Sequence, residues 1–214
     1  MLIEPWHLQL ALLTLFFLSA MLHSSVGLGG GSSYTAWMII LSIPTLMIPS
    51  LALSLNILVS GVVCIQFIRK RLIPWKILSL LLIFSAPSAY IGGLLQINED
   101  IIHLILLISL IFIAFRLVFF DSKNYIQTAP PQRLAIIYIA ILGALLGFLA
   151  GLVGIGGGIY LVPALLILRL ASINQAAACG GAFILCNSTV GLYARSEEHT
   201  SELQSPCNLV CRLL

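Results

Sequence analysis

Apolar runs of about 17 to 25 residues recur along the chain, and each is long enough to cross a ~30 Å hydrocarbon core as an α-helix. Nothing else in the sequence limits the fold as strongly. Set against their breakers, the runs predict eight helical segments near residues 6–26, 32–48, 50–68, 75–97, 101–120, 134–152, 159–170 and 175–194. Pro44, Pro49, Pro74, Pro87, Pro130, Pro131 and Pro163 mark ends or kinks. The two-residue alternation of a membrane β-barrel strand is absent. The fold class is therefore all-α, a polytopic transmembrane helical bundle. Composition agrees: 60% of residues are hydrophobic and 8% charged, against roughly 25% charged in an average soluble domain. The leader Met1-Leu2-Ile3-Glu4-Pro5 carries an acid and no Lys or Arg, so the first run reads as a retained span rather than a cleaved signal.

A formal charge of +3, with the basic residues placed at loops and not along one stripe, argues against nucleic-acid binding. Those residues report topology instead. Arg69, Lys70, Arg71 and Lys76 form the strongest basic cluster, which by the positive-inside rule faces the cytoplasm. The turn Asn98-Glu99-Asp100 then lies outside, and Arg116, Lys123 and Arg133 return to the cytoplasmic side. Counting back puts the N-terminus outside, provided the segment 32–48 spans and is not re-entrant.

Two glycine clusters interrupt the apolar pattern: Val26-Gly27-Leu28-Gly29-Gly30-Gly31 and Val153-Gly154-Ile155-Gly156-Gly157-Gly158. They differ only at Leu28 against Ile155, and each precedes an apolar segment that reaches a Ser-Ile step, Ser42-Ile43 and Ser172-Ile173. Farther on, Asn56 and Gly61 match Asn187 and Gly191 with small spacing differences. The chain is thus an internal repeat, with a first copy over about 6–120 and a second from about 134. Five segments separate the starts of the copies; the odd number makes them inverted, the arrangement of many secondary transporters. Re-entrant segments after the glycines would make the copies parallel.

Glycine costs roughly 1 kcal/mol relative to alanine inside a helix, so a cluster of four breaks it. At membrane depth such a break must be buried in protein or line a water-filled cavity. The restarted helix then presents unpaired N–H groups and its positive dipole end, a natural place for an anion. The candidate binding residues are Gly27, Gly29, Gly30, Gly31, Ser32, Gly154, Gly156, Gly157, Gly158, Asn56 and Asn187. Ser24, Ser25, Ser32 and Ser33 flank the first break, whereas the neighbours of the second in sequence are apolar, so the site is expected to be asymmetric. Close helix packing is the structural alternative for the glycines, and interhelical hydrogen bonding for the asparagines. His23, beside the first break, is a candidate proton relay, with a neutral hydrogen-bonded histidine as the plainer alternative. His103 reads as an interfacial residue and Arg169 as a cytoplasmic anchor. Cys64, Cys179 and Cys186 fall in apolar spans, where a small buried thiol is the simplest role; the cysteines show no metal spacing. The clusters lack the lysine of a P-loop, and neither reads G-x-G-x-x-G after a strand. No cofactor, metal or catalytic residue is expected.

At these residues the sequence resembles the sulfite exporter TauE/SafE family, bacterial multi-span proteins with a repeated G-x-G-G-G motif near the start of each half. The likeness covers residues 6–194. It implies a multi-pass permease of the bacterial cytoplasmic membrane for small sulfur-containing or organic anions such as sulfite, sulfoacetate or related sulfonates. Transport would be secondary, between two glycine-broken helices, with the anion and the bilayer as partners. From Arg195 the chain turns polar and acidic, and Arg195 to Ser205 resembles a one-frame translation of a common sequencing adapter, as does Leu209 to Leu214. Residues 195–214 are therefore expected to be a non-native, disordered tail after a transmembrane domain at 1–194. By the repeat offset, about fifty further residues would complete the second half. Two rivals come from other classes. One is a non-transporting membrane scaffold. The other is an intramembrane hydrolase with Ser24 or Ser25 as nucleophile and His23 as base, disfavoured because adjacent helical residues diverge and no acid orients the histidine.

Overall fold

A computed structural model describes residues 5–25, 30–41, 47–95, 131–154 and 156–213, with single helical positions between 104 and 111; side chains of the last helix are described as far as 196. Gly27, Gly29, most of the predicted span 101–120, the turn 98–100, His103 and Lys123 lie outside these residues. The described residues form seven helices and no strand: α1 (Pro5–Ser25), α2 (Gly31–Ile40), α3 (Ile48–Arg69), α4 (Trp75–Leu94), α5 (Gln132–Val153), α6 (Gly158–Ile167) and α7 (Ile173–Leu213). Four apolar stretches are long enough to cross a membrane: Ile48–Arg69, Trp75–Leu94, Leu134–Val153 and Ile173–Ser196.

The segments predicted at 32–48 and 159–170 are shorter than expected. Helices α2 and α6 have ten residues each, about 15 Å of rise, half of a ~30 Å core. Both are preceded by a glycine in the left-handed region, Gly30 (φ 77°) and Gly157 (φ 70°). Helix α6 stops because Arg169 turns left-handed (φ 56°), with its amide bonded to Leu166 O (3.1 Å) and the next amide, of Leu170, to Leu165 O (2.9 Å). That pairing is a Schellman cap, built here without glycine. Helix α3 ends the same way: Arg71 has φ 54°, its amide bonds Ile68 O (3.0 Å) and that of Leu72 bonds Phe67 O (3.2 Å). Both caps place a cation at the negative end of a helix dipole.

Helix directions follow from the pairings. A Cβ built on Gly143, Gly147 or Gly151 of α5 would run into the backbone of Leu81, Ser85 or Ala89 of α4, in ascending order along both helices, so α4 and α5 are parallel. On α3 and α7, Gly61 faces Leu185 while Gly191 faces Leu53, so that pair is antiparallel. In α1 and α2, Trp37 Nε1 donates to Ser19 Oγ (3.1 Å) and Ser33 Oγ pairs with His23 Nε2 (3.1 Å), the register of an antiparallel hairpin.

The α4–α5 seam is a small-xxx-small contact, the packing that brings backbones together where lipid gives no hydrophobic drive. Leucine at Gly147 would drive a side chain into the Ser85 carbonyl. Gly147→Leu is predicted to destabilise the protein by about 3 kcal/mol, the upper range for overpacking a core, read as a lowered unfolding temperature in detergent; unchanged stability would refute the seam.

Helix α7 is the most buried of the four long apolar stretches and packs on α3, α4, α5 and α6. Its first turns, with Ala176, Cys179 and Phe183, share one core with Cys64 and Ile73, Leu78 and Leu81 of α4, and Leu161 and Leu165 of α6. Arg169 therefore sits at the same end of the bundle as the Arg69–Lys76 cluster. Where disorder is expected from residue 195, α7 continues as helix to Leu213; extending a formed helix carries no new nucleation cost. Arg195 Nη2 donates to the terminal carbonyls of α5, Leu152 O (2.8 Å) and Gly151 O (3.3 Å).

Candidate functional site

The second glycine cluster forms a buried turn between two helices. Helix α5 ends at Gly154, left-handed (φ 79°), whose amide bonds Ala150 O (3.0 Å). Gly156 (φ 80°) and Gly157 (φ 70°) follow in the same region, which L-residues with a Cβ avoid. Helix α6 then restarts at Gly158 with no side-chain cap. Tyr160 and Leu161 donate to Gly157 O (3.2 Å each), and the preceding amides face outward at the positive dipole end.

Space here is as restricted as conformation. A Cβ on Gly156 would lie 2.8 Å from Ile184 Cγ2, 3.1 Å from Asn56 Nδ2 and 3.4 Å from Ser188 Oγ. One on Gly157 would lie 3.0 Å from Leu146 O and from the Phe183 ring, and one on Gly158 would collide with the Ile184 side chain. The turn is thus enclosed by α3, α5 and α7, and Gly154, Gly156, Gly157 and Gly158 are all buried.

The polar groups around this turn come from other helices. The neighbours of the second break in sequence are apolar, and the fold delivers Asn56, a residue predicted from the repeat, from α3 and Ser188 from α7. Asn56 Nδ2 donates to Gly154 O (3.2 Å), a bond across 98 positions of sequence. A carbonyl only accepts, so the amide orientation is settled and Asn56 Oδ1 is the atom left over. Ser60 Oγ donates to the Asn56 carbonyl one turn on. Asn187 shares the inward face of α7 with Ile184, Ser188 and Gly191, spaced as one helical stripe. Asn56, Asn187 and Ser188 are fully buried. Asn56 Oδ1, both amide atoms of Asn187 and Ser188 Oγ have no hydrogen-bond partner among the described residues. Buried polar atoms are nearly always paired, so these exceptions, Asn56 and Ser188 against the turn and Asn187 next to Ser188 on α7, require an explanation.

The first break is described only from Gly30 onward. Gly30 O accepts from Ser33 N (3.0 Å) and Tyr34 N (3.1 Å), and the buried Tyr34 ring lies over Gly30. Gly31 opens α2 and Ser32 follows it, half-buried. His23, half-buried at the end of α1, is held at both ring nitrogens: Nδ1 donates to Ser19 O (2.9 Å), and in the neutral ring Nε2 accepts from Ser33 Oγ (3.1 Å). Ser24 Oγ donates to Met21 O (3.0 Å). The partners of His23 are Ser19 and Ser33, and that arrangement lacks the serine–histidine pair a hydrolase at Ser24 would use.

Of the residues predicted from sequence, the fold brings together Asn56, Gly154, Gly156, Gly157 and Gly158, with Asn187 on the adjoining face. Gly30, Gly31, Ser32 and His23 belong to the α1–α2 hairpin. Ser188 and Ser60 were missed, although a polar Asn187-Ser188-Thr189 step inside an apolar span was a readable signal.

No solved structure matches the chain. A curated relative, the probable membrane transporter protein y4hK of Sinorhizobium fredii, is 30% identical over 182 residues, 83% of this chain and 72% of the relative. The model of the family described as sulfite exporter TauE/SafE matches residues 12–200. Together with the long apolar helices, these matches identify the chain as a multi-pass membrane transporter that belongs to the sulfite exporter TauE/SafE family.

Proposed function

We propose that the protein is a secondary transporter of small sulfur-containing or organic anions, of the sulfite or sulfonate type, in a bacterial cytoplasmic membrane. The anion binds at the turn Gly154–Gly158, against the N-terminus of α6, with Asn56, Asn187 and Ser188 as side-chain partners. The observation that carries this reading is the group of fully buried, unpartnered polar atoms on those side chains, next to an uncapped helix start. Every named side chain at the turn is neutral, so the site attracts an anion through amide and hydroxyl dipoles and the helix end.

Alternating access about this site is the mechanism the architecture favours. Its support is directional. Helices α2 and α3 pack together through a short link, as do α6 and α7, while α4 lies parallel to α7, with Leu78 in one core with Ala176 and Gly93 against Gly191 and Ala194. Combined with the pairings above, these contacts favour α1, α2 and α3 running opposite to α5, α6 and α7 respectively, the relation that inverted copies have. The Gly27–Gly31 break is then the counterpart of the described site, and His23 a candidate proton relay beside it.

Gly30→Leu and Gly157→Leu are each predicted to abolish anion uptake into proteoliposomes containing the protein, since leucine cannot hold a left-handed turn without strain. Wild-type uptake by both variants would defeat the assignment. A non-transporting scaffold would show no uptake in the parent protein either.

A further inference from the structure

We infer that the anion bound at the Gly154–Gly158 turn is a monoanion that carries its own hydrogen-bond donor, such as the hydrogen-bearing form of a diprotic oxyanion; this rests on the site proposed above. The free groups at the turn, together with Asn187 next to Ser188 on the inward face of α7, are of two kinds. Asn187 offers an N–H donor and a carbonyl acceptor whichever way its amide is turned, because neither atom has a partner among the described residues. Asn56 offers an acceptor alone, since its Nδ2 is committed to Gly154 O at 3.2 Å. Ser188 Oγ can serve in either sense. The outward amides of α6 are donors only.

A fully deprotonated oxyanion has acceptors and nothing else. It would satisfy the α6 amides and the Asn187 N–H, but would press its oxygens against Asn56 Oδ1 and Asn187 Oδ1. Two buried carbonyl oxygens would stay desolvated and unpaired, at a cost the ligand cannot return. A ligand with both a charged oxygen and an O–H meets the two kinds of group at once: the oxygen faces the amides, and the O–H donates to an asparagine carbonyl. Charge points the same way. Helix ends and neutral dipoles compensate about half an elementary charge, and the nearest cation named, Arg195, is committed to the Leu152 and Gly151 carbonyls at the end of α5.

The test uses the full-length protein in liposomes and three probes: hydrogensulfite with its conjugate dianion sulfite, sulfate, and methanesulfonate. Sulfate is a dianion without a donor; methanesulfonate is a monoanion without one and does not titrate near neutrality. Calorimetric binding is measured between pH 6 and 8. Hydrogensulfite is expected to bind at least about tenfold more tightly than methanesulfonate, because a site with committed acceptors rejects an analogue lacking the donor. Affinity in total sulfite should weaken by about tenfold per pH unit once the second proton is lost. The methanesulfonate profile corrects for any pH response of the protein itself. Equal binding of methanesulfonate and hydrogensulfite, or a flat pH profile for sulfite, overturns the donor requirement while leaving the site in place. Undiminished binding of every probe by Asn187→Leu overturns the site itself.

Discussion

Asn187→Leu is expected to raise the unfolding temperature of the protein and to abolish anion transport. The two effects share a cause. Asn187 is fully buried in α7, and neither of its amide atoms has a partner among the described residues. Leucine keeps the branched framework of asparagine, removes two desolvated polar atoms and adds apolar surface to a buried position. Relief of buried unsatisfied groups is worth about 1–2 kcal/mol. The same change removes a donor and an acceptor from the anion site. Thermal unfolding in detergent and uptake into proteoliposomes, measured on one preparation, read the two consequences separately. If Asn187 were a structural hydrogen-bonding residue, stability would fall and transport would decline only with it.

Gly156→Ala is the second large expected effect. The residue has φ +80°, which costs an L-residue about 1–2 kcal/mol. The new methyl would also lie 2.8 Å from Ile184 Cγ2 and 3.1 Å from Asn56 Nδ2. Overpacking of that kind typically costs about 1–3 kcal/mol, and it pushes Asn56 off the Gly154 carbonyl. Transport should fall to background even where the variant still folds. Gly61→Ala is the matched control: it sits within helix α3, and the nearest atom to its built Cβ is Leu185 Cδ1 at 4.0 Å. There alanine should add up to about 1 kcal/mol through helix propensity and leave transport intact. Loss of transport in both variants would mean that any added methyl disturbs the bundle, and the special role of the turn would fall.

Much of the fold was legible because membranes tolerate few solutions: apolar length predicted the four long helices, and the doubled glycine cluster predicted the breaks. The ends of the half-helices were not. Hydropathy continues through Leu168 and Leu170, and α6 stops where Arg169 takes a left-handed conformation that arginine seldom adopts. The Gly143-Gly147-Gly151 spacing was visible as a packing stripe, but its partner on α4 depends on how helices dock, which no local pattern encodes. The site divides along the same line. Asn56 and Asn187 stood out as matched polar residues in the two copies. That Asn56 reaches the carbonyl of Gly154, in the other half, is a tertiary fact. Proximity in sequence pointed to the serines around the first break, and the second break drew its polar groups from α3 and α7.

The central claim, that an anion occupies the turn between α5 and α6, is tested most directly by anion-dependent thermal stabilisation of the full-length protein and of Ser188→Ala and Asn187→Leu. Ligand that binds the native state raises its stability in proportion to occupancy. The account predicts that at least one of sulfite, a sulfonate, thiosulfate or a carboxylate shifts the unfolding temperature of the parent protein. That shift should shrink in Ser188→Ala and vanish in Asn187→Leu. An equal shift in all three proteins, or none with any anion, would contradict it.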